Sequence, residues 1–305
     1  LWGPDPDWAS PGGLSPLLES DGSVELGVRP CRTTRPHEPP YALRAGDHEA
    51  GQGIDALRAY ALRLADGGAR PDMLLMLGDQ IYADQLSPAL LRALAGRERP
   101  ADVPEGELAD FGEYALAYRE AWGEPAIRWL LSTVPVTMVF DDHEIHAEWR
   151  ISQGWVDEMN AEPWFDRHIR AGLMAYWVFQ HLGNVSPDVL RESELYDEVR
   201  RAPNAAELLA SRMSTEGRQV GQSRWSFARD VGDTIVRVVM EQMNRSSVGA
   251  ENHDPDPQLA TLQDVTAWRE KSSALRALAG KVAPGETGLA EAAHPCSTAP
   301  VHRFA

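Results

Sequence analysis

The chain has 305 residues, 43% of them hydrophobic, enough for one large domain or two small ones with cores of their own. Its 29 basic and 46 acidic residues leave a formal charge of −17, which excludes a nucleic-acid scaffold built on a basic face. Two cysteines, Cys31 and Cys296, are too few for a disulfide framework, and no apolar run reaches the length of a transmembrane segment.

Residues 1–22 are rich in Pro, Gly, Asp and Ser and read as an irregular lead-in. The sequence opens on Leu1 with no charged-then-apolar leader, so it is expected to lack its native N-terminus. A lost export signal is compatible with that. A soluble chain is expected, and the compartment stays open. A short strand over 24–29 leads to Cys31, and the prolines at 36, 39 and 40 mark a loop. Helical spacing of Ile54, Leu57, Ala61, Leu62 and Leu64 predicts a helix over 54–65, closed by Gly67-Gly68. Met73-Leu74-Leu75-Met76-Leu77 predicts a strand buried on both faces, giving a strand–helix–strand unit. Helices follow over 88–95 and over 108–131, the latter interrupted at Gly123-Glu124-Pro125. A second doubly buried strand, Val136-Thr137-Met138-Val139-Phe140, comes next. The aromatic-rich stretch 157–182 reads as one or two buried helices, 205–216 as another, and 223–240 as a hairpin turning near Gly232. From about Glu241 the composition shifts to Asn, Asp, Pro and Ser, with a helix predicted over 259–278.

Both apolar strands end abruptly in acid: Gly78-Asp79-Gln80-Ile81-Tyr82-Ala83-Asp84 after the first, Asp141-Asp142-His143-Glu144 after the second. Buried charge is costly unless paired or bound to metal, and ligands of layered α/β folds bind beyond the carboxyl ends of strands. Asp79 has two oxygens and could bridge two cations, which two-metal hydrolases hold about 3.5–4 Å apart. Tyr82 could return toward the same ion from a tight turn; the competing reading is a capping Asp79 and a packing Tyr82. Of the adjacent Asp141 and Asp142, one can face the crevice while the other supports it. His143 suits proton donation to a leaving oxygen, against the bland reading of a surface histidine. Cys31 would suit a softer ion such as iron or zinc, though most free cysteines simply pack. Arg150 is a candidate phosphate clamp. His168 and His181 read as core or surface residues, and Trp149, Trp155 and Trp164 as packing. No Walker A segment, Gly-x-Ser-x-Gly elbow or His-Glu-x-x-His pattern is present.

The segment Gly78 to Asp84 resembles the Gly-Asp-x-x-Tyr block of calcineurin-like metallophosphoesterases. With Phe140-Asp141-Asp142-His143-Glu144 it resembles the alkaline phosphatase D (PhoD-like) branch, which has a Trp/Phe-Asp-Asp-His block. Val28-Arg29-Pro30-Cys31-Arg32 is similar to the branch's Gly-Ser-Cys segment without its Gly-Ser, and Arg224-Trp225-Ser226-Phe227 and Gly232-Asp233-Thr234 also fit. The resemblance spans about residues 24–240. It implies an α/β, four-layer αββα sandwich over 23–240, incomplete at the C-terminus. It also implies a dinuclear site of iron and calcium or other divalent ions. Carried over by position, Cys31, Asp79 and Tyr82 would hold one ion, Asp79 would bridge to the second, and Asp142 would bind the second. His143 would be the acid or transition-state contact. Asp141 and Glu148 are candidates for a metal or a supporting contact. The C-terminal Gly-Asp-x-His and His-x-His/Asp blocks of the family are missing after residue 240, so 241–305 is expected to be an atypical, non-homologous tail.

The expected function is hydrolysis of phosphate mono- or diesters. The substrate's negative charge must be offset locally, by metals or arginines. The competing expectation is an inactive truncated homologue with half a metal site, acting at most as a binding protein. A third is hydrolysis of another ester or a lactone.

Overall fold

A computed structural model describes residues 25–29, 31–32, 38–51, 53–147, 149, 153–218, 225, 227–231 and 234–238. Its organising element is the apolar strand that the sequence marks most strongly. Strand β2 (Met73–Leu77) lies between β1 (Leu26–Arg29) and β3 (Val136–Val139) in a parallel sheet, with Leu26 opposite Met73 and Leu74 opposite Val136. Leu74 and Met76 pack into a core shared with helices. Met73 and Leu75 pack with Phe227 and Val238 of an antiparallel hairpin, β4 (Phe227–Val231) and β5 (Thr234–Val238). Both faces of β2 are therefore covered, which is why no polar residue interrupts it. Among the described residues the order of layers is helices, parallel sheet, hairpin sheet, an α/β architecture.

The crossover from β1 to β2 runs through α1 (Ala56–Ala65), whose N-terminus is capped by Asp55, accepting from Leu57 N–H at 2.8 Å and Arg58 N–H at 3.3 Å. Leu57, Ala61 and Leu64 form its buried face. Between β2 and β3 come α2 (Pro88–Leu94), α3 (Phe111–Trp122) and α4 (Pro125–Thr133). Ser87, Asp110 and Glu124 cap them, and proline opens α2 and α4, where its missing N–H costs nothing. The interruption expected at Gly123-Glu124-Pro125 is the break between α3 and α4.

After β3, a 3-10 turn (Asp142–Glu144) leads to α5 (Gln153–Ala161) and α6 (Phe165–Tyr176). Helix α6 continues as a π-helical turn (Trp177–His181) and a last α turn, α7 (Leu182–Asn184). A second core gathers Phe140, Ile145, Phe165, Tyr176 and Trp225 here, with Trp149 and Trp155 against it, so the tryptophans pack as expected. The chain goes on to α8 (Pro187–Glu192), α9 (Glu194–Arg201) and α10 (Ala205–Arg218). Helices α8 and α9 escape the sequence reading because neither fully buries a residue; α9 only half-buries Leu195, Tyr196 and Val199 against the second core, and its other side carries charge pairs such as Asp197–Arg201 and Glu198–Arg212.

Two expectations need correction. Strand β3 is not buried on both faces: only Thr137 within it is buried. Among the described residues it is an edge of a three-stranded sheet, and the Asn184 side chain takes the place of a neighbouring strand there. That amide accepts from Met138 N–H at 2.8 Å and donates to Met138 C=O at 2.6 Å. Strand β4 also extends to Val231, so Asp230 and Val231, which the sequence places in a four-residue turn over 230–233, belong to the strand. The proposed tail, 241–305, including Cys296, lies outside the described residues.

Behind the sheet's carboxyl end is a buried ion pair. Arg32, 1% exposed, donates to Asp55 Oδ2 through Nε at 2.9 Å and Nη2 at 2.7 Å, and its Nη1 meets the Ala121 carbonyl. Burial pushes the Asp55 carboxyl up, but the Arg32 guanidinium prevails and holds it below its ordinary value. Asp55→Ala strands the guanidinium and is expected to destabilise the fold by about 3–5 kcal/mol in chemical denaturation. Because the folded pKa is depressed, Asp55's contribution is full above about pH 4 and is lost as pH falls through the folded value.

Candidate metal centre

Parallel pairing brings the ends of β2 and β3 side by side, with Gly78 N–H donating to Val139 C=O at 3.0 Å. The residues that follow form two facing turns. Gly78 sits at φ +130°, and a Cβ there would lie 2.7 Å from Cys31 Sγ and 2.8 Å from Cys31 N. Only glycine permits both that backbone conformation and that approach of the β1 end. Arg32 N–H, donating to Asp79 C=O at 2.8 Å, then fixes Cys31 over the turn.

Two sets of ligand-type atoms result, each mutually within 4.8 Å: Cys31 with Asp79 and Asp141, and Asp79 with Asp142 and His143. Asp79 belongs to both. It is 1% exposed, and its Oδ1 has no hydrogen-bond partner among the described residues. Burial, and after it the Asp141 charge, pushes its carboxyl up to about 7. Burial and the adjacent Asp79 carboxylate likewise push the Cys31 thiol up, while Asp141 Oδ2 lies 3.9 Å from Sγ. A buried, orphaned carboxylate oxygen among further acids and a thiol fits a cation: it would compensate the charge and take up the free lone pairs. The mixed sulfur, nitrogen and oxygen set suits a transition metal.

Glu144 holds the turns in place. Its side chain, 1% exposed, accepts from Gln80 N–H at 2.8 Å, Gln180 Nε2 at 2.8 Å and Asp141 N–H at 3.2 Å. Its backbone carbonyl accepts from Tyr114 Oη at 3.0 Å. Gly172 on α6 permits this packing, because a Cβ there would come within 2.5 Å of Ile145 and 2.8 Å of Tyr114 Oη. His168, fully buried, places its ring nitrogens against the Leu108 and Ile145 carbonyls, which makes it a core residue, one of the two readings the sequence left open. His181 packs edge-on to Trp225.

The His143 ring is oriented on two sides. Its Nδ1 lies 2.9 Å from Asp84 Oδ1 and 3.0 Å from Oδ2, and Asp84 Oδ2 also accepts from Ala147 N–H at 2.7 Å. The Tyr82 ring is tilted against it with centroids 4.6 Å apart. Burial lowers the His143 pKa, yet hydrogen bonding and charge from Asp84, helped by Asp79 and Asp142, push it up to about 9. With Nδ1 turned to Asp84, the ring also belongs to the cluster it forms with the Asp79 and Asp142 carboxylates.

Cys31, Asp79, Asp142 and His143, expected from sequence, therefore meet at one place. Asp141, expected only as an alternative ligand or support, enters a ligand set directly. Tyr82 is adjacent, against His143. Glu148 and Arg150 lie outside the described residues. Sequence reasoning missed Asp84, which stands in the first acidic segment; a second acid five residues after Asp79 was its only signal. Glu144 and Gln180 were also missed as supports.

In metal-free protein the His143 imidazole is expected to titrate near about 9 by NMR and to fall toward the ordinary value of about 6.5 in Asp84→Asn. Both raised groups act in one direction. Asp79 favours the fold below about pH 4 and loses that contribution as pH rises through about 7. His143 does so between about 6.5 and about 9. Metal-free stability should therefore fall with rising pH, and Asp84→Asn should remove the upper part of that fall.

A sequence model of the PhoD-like phosphatase family matches residues 46–249. No curated protein matches the chain. A solved structure of PhoD is similar with a TM-score of 0.32 and 14% identity, over 52% of this chain and 25% of that one, so this chain spans about a quarter of that relative. With more than half of its length matched to the family, and the acidic turns of β2 and β3 within the match, the chain belongs to the PhoD-like phosphatases.

Proposed function

We propose that the chain is a metal-dependent phosphoesterase hydrolysing phosphate mono- or diesters at a dinuclear centre built on Asp79. The observation that carries this reading is the sharing of Asp79 by two ligand sets, with one buried oxygen left unpartnered among the described residues. In the proposed assignment Cys31, Asp79 and Asp141 hold one ion, with Tyr82 beside them, and Asp79 with Asp142 holds the other. Iron with calcium, or other divalent ions, would suit these donors. Bound there, the ions would supply Lewis-acid activation of water and stabilisation of the attacking and leaving oxygens. Membership of the family supports the hydrolase class.

His143 is the proposed acid. Asp84 fixes Nδ1 and favours the protonated ring, so the proton at Nε2 can pass to the oxygen of the departing group. Tyr82 limits the tilt of that ring by packing on it. The α/β arrangement of helices, parallel sheet and hairpin supports the proposed αββα sandwich; residues 23–240 are proposed as the catalytic domain and 241–305 as an atypical tail, into whose first residues the family match extends. Glu148 and Arg150, just beyond the second acidic turn, are proposed as a further metal or supporting contact and a phosphate clamp.

The test is hydrolysis of p-nitrophenyl phosphate and bis-p-nitrophenyl phosphate by metal-reconstituted protein. Activity on either ester is expected, abolished by chelation and by Asp79→Ala. His143→Ala should lower kcat by about 10²–10⁴-fold. A reconstituted protein that binds metal and turns over neither ester would contradict this function.

A further inference from the structure

The buried π turn after α6 has no part in the chemistry above, yet it reaches the site. Gln180, 2% exposed, donates through Nε2 to Glu144 Oε1 at 2.8 Å and to Tyr118 Oη at 2.9 Å. Glu144 Oε1 is the oxygen that receives Gln80 N–H from the β2 turn, while Oε2 receives Asp141 N–H from the β3 turn. One carboxylate thus ties the residue after Asp79 to the residue before Asp142, and Gln180 fixes that carboxylate from the helix side. Four residues on, Asn184 grips Met138 within β3 itself. The stretch from Gln180 to Asn184 therefore holds both the strand that launches the second acidic turn and the carboxylate at that turn's end.

The π geometry is what makes this reach. A π turn takes up one residue more than an α turn, and it recurs at functional sites. Deleting that residue from a continuous helix would rotate the side chains beyond it by about 100°. Gln180 and Asn184 could not both then face β3 and Glu144. The wider turn also places Phe179 against Tyr118, with ring centroids 4.7 Å apart, which locks its phase.

We propose that Gln180 is a positioning residue for the metal centre: through Glu144 it sets the spacing between Asp79 and the Asp141–Asp142 pair. This rests on the metal-centre reading. Supporting groups of this kind are worth about 10–100-fold in metal affinity or activity. It follows that removing the Gln180 donor relaxes the gap between the two turns and weakens metal binding in protein that is still folded.

The test is Zn²⁺ titration and bis-p-nitrophenyl phosphate kinetics on the full chain, comparing wild type, Gln180→Met and Leu130→Ala. Leu130 is buried in α4 and its apolar side chain makes none of the hydrogen bonds that tie the two turns, so its truncation serves as a control for lost stability alone. Gln180→Met is expected to weaken Zn²⁺ binding by about 10–100-fold and to lower kcat at saturating Zn²⁺, with KM changed less than about twofold. Leu130→Ala should lower the melting temperature while its folded fraction binds Zn²⁺ as wild type does. If Gln180→Met does not fold, Gln180→Asn keeps a buried amide but withdraws it from Glu144 by one methylene, and the same loss is expected. Wild-type Zn²⁺ affinity in the folded variant overturns the proposal alone. No Zn²⁺ binding by the wild type overturns the metal-centre reading together with it.

Discussion

Three carboxylates and a thiol converge where two parallel strands end, and the central one, Asp79, is almost fully enclosed. That concentration of negative charge is the constraint on which the surrounding structure depends. Without a counter-charge, burial and like-charge repulsion push the Asp79 carboxyl up to about 7, so the metal-free chain pays with a pH-dependent loss of stability. A cation between the turns removes the repulsion and uses the oxygen that no donor among the described residues reaches. The proposed catalytic centre and the strain of the metal-free fold are thus two states of one electrostatic arrangement.

The fold maintains the arrangement by fixing backbone rather than by neutralising charge. Glycine at 78 lets the end of β1 touch the β2 turn, and the buried Arg32–Asp55 pair anchors the residue after Cys31 to the start of α1. Glu144 closes the two turns on each other through main-chain N–H groups. Asp84 does the same for the His143 ring and the Ala147 amide. Apart from the local Asp141–Glu144 contact, these ties join residues far apart in sequence, and each is buried or half-buried, where hydrogen bonds are worth more than in water.

This division explains what could be read in the sequence. The strand β2 and the residues Asp79, Asp142 and His143 were legible because an uninterrupted apolar run ending in acids has few other physical meanings. Cys31 was only weakly legible from its thiol chemistry and gained weight by resemblance, and the structure gives it a reason through its contact with the Gly78 turn. Asp84, Glu144 and Gln180 were not legible as supports, because their partners are set by tertiary packing and their residue types are common on surfaces. Gln180 is the extreme case, since its direction depends on a π turn that helical periodicity cannot signal. The half-buried state of β3 was misread because its edge is finished by a single side chain, Asn184, rather than by a strand.

The most direct test of the account is metal stoichiometry by elemental analysis after reconstitution and dialysis, comparing wild type with Asp79→Ala. A shared carboxylate requires that both ions depend on one residue. The account predicts about two equivalents in the wild type and loss of both in the variant. Two equivalents retained without Asp79, or none in the wild type, would contradict it.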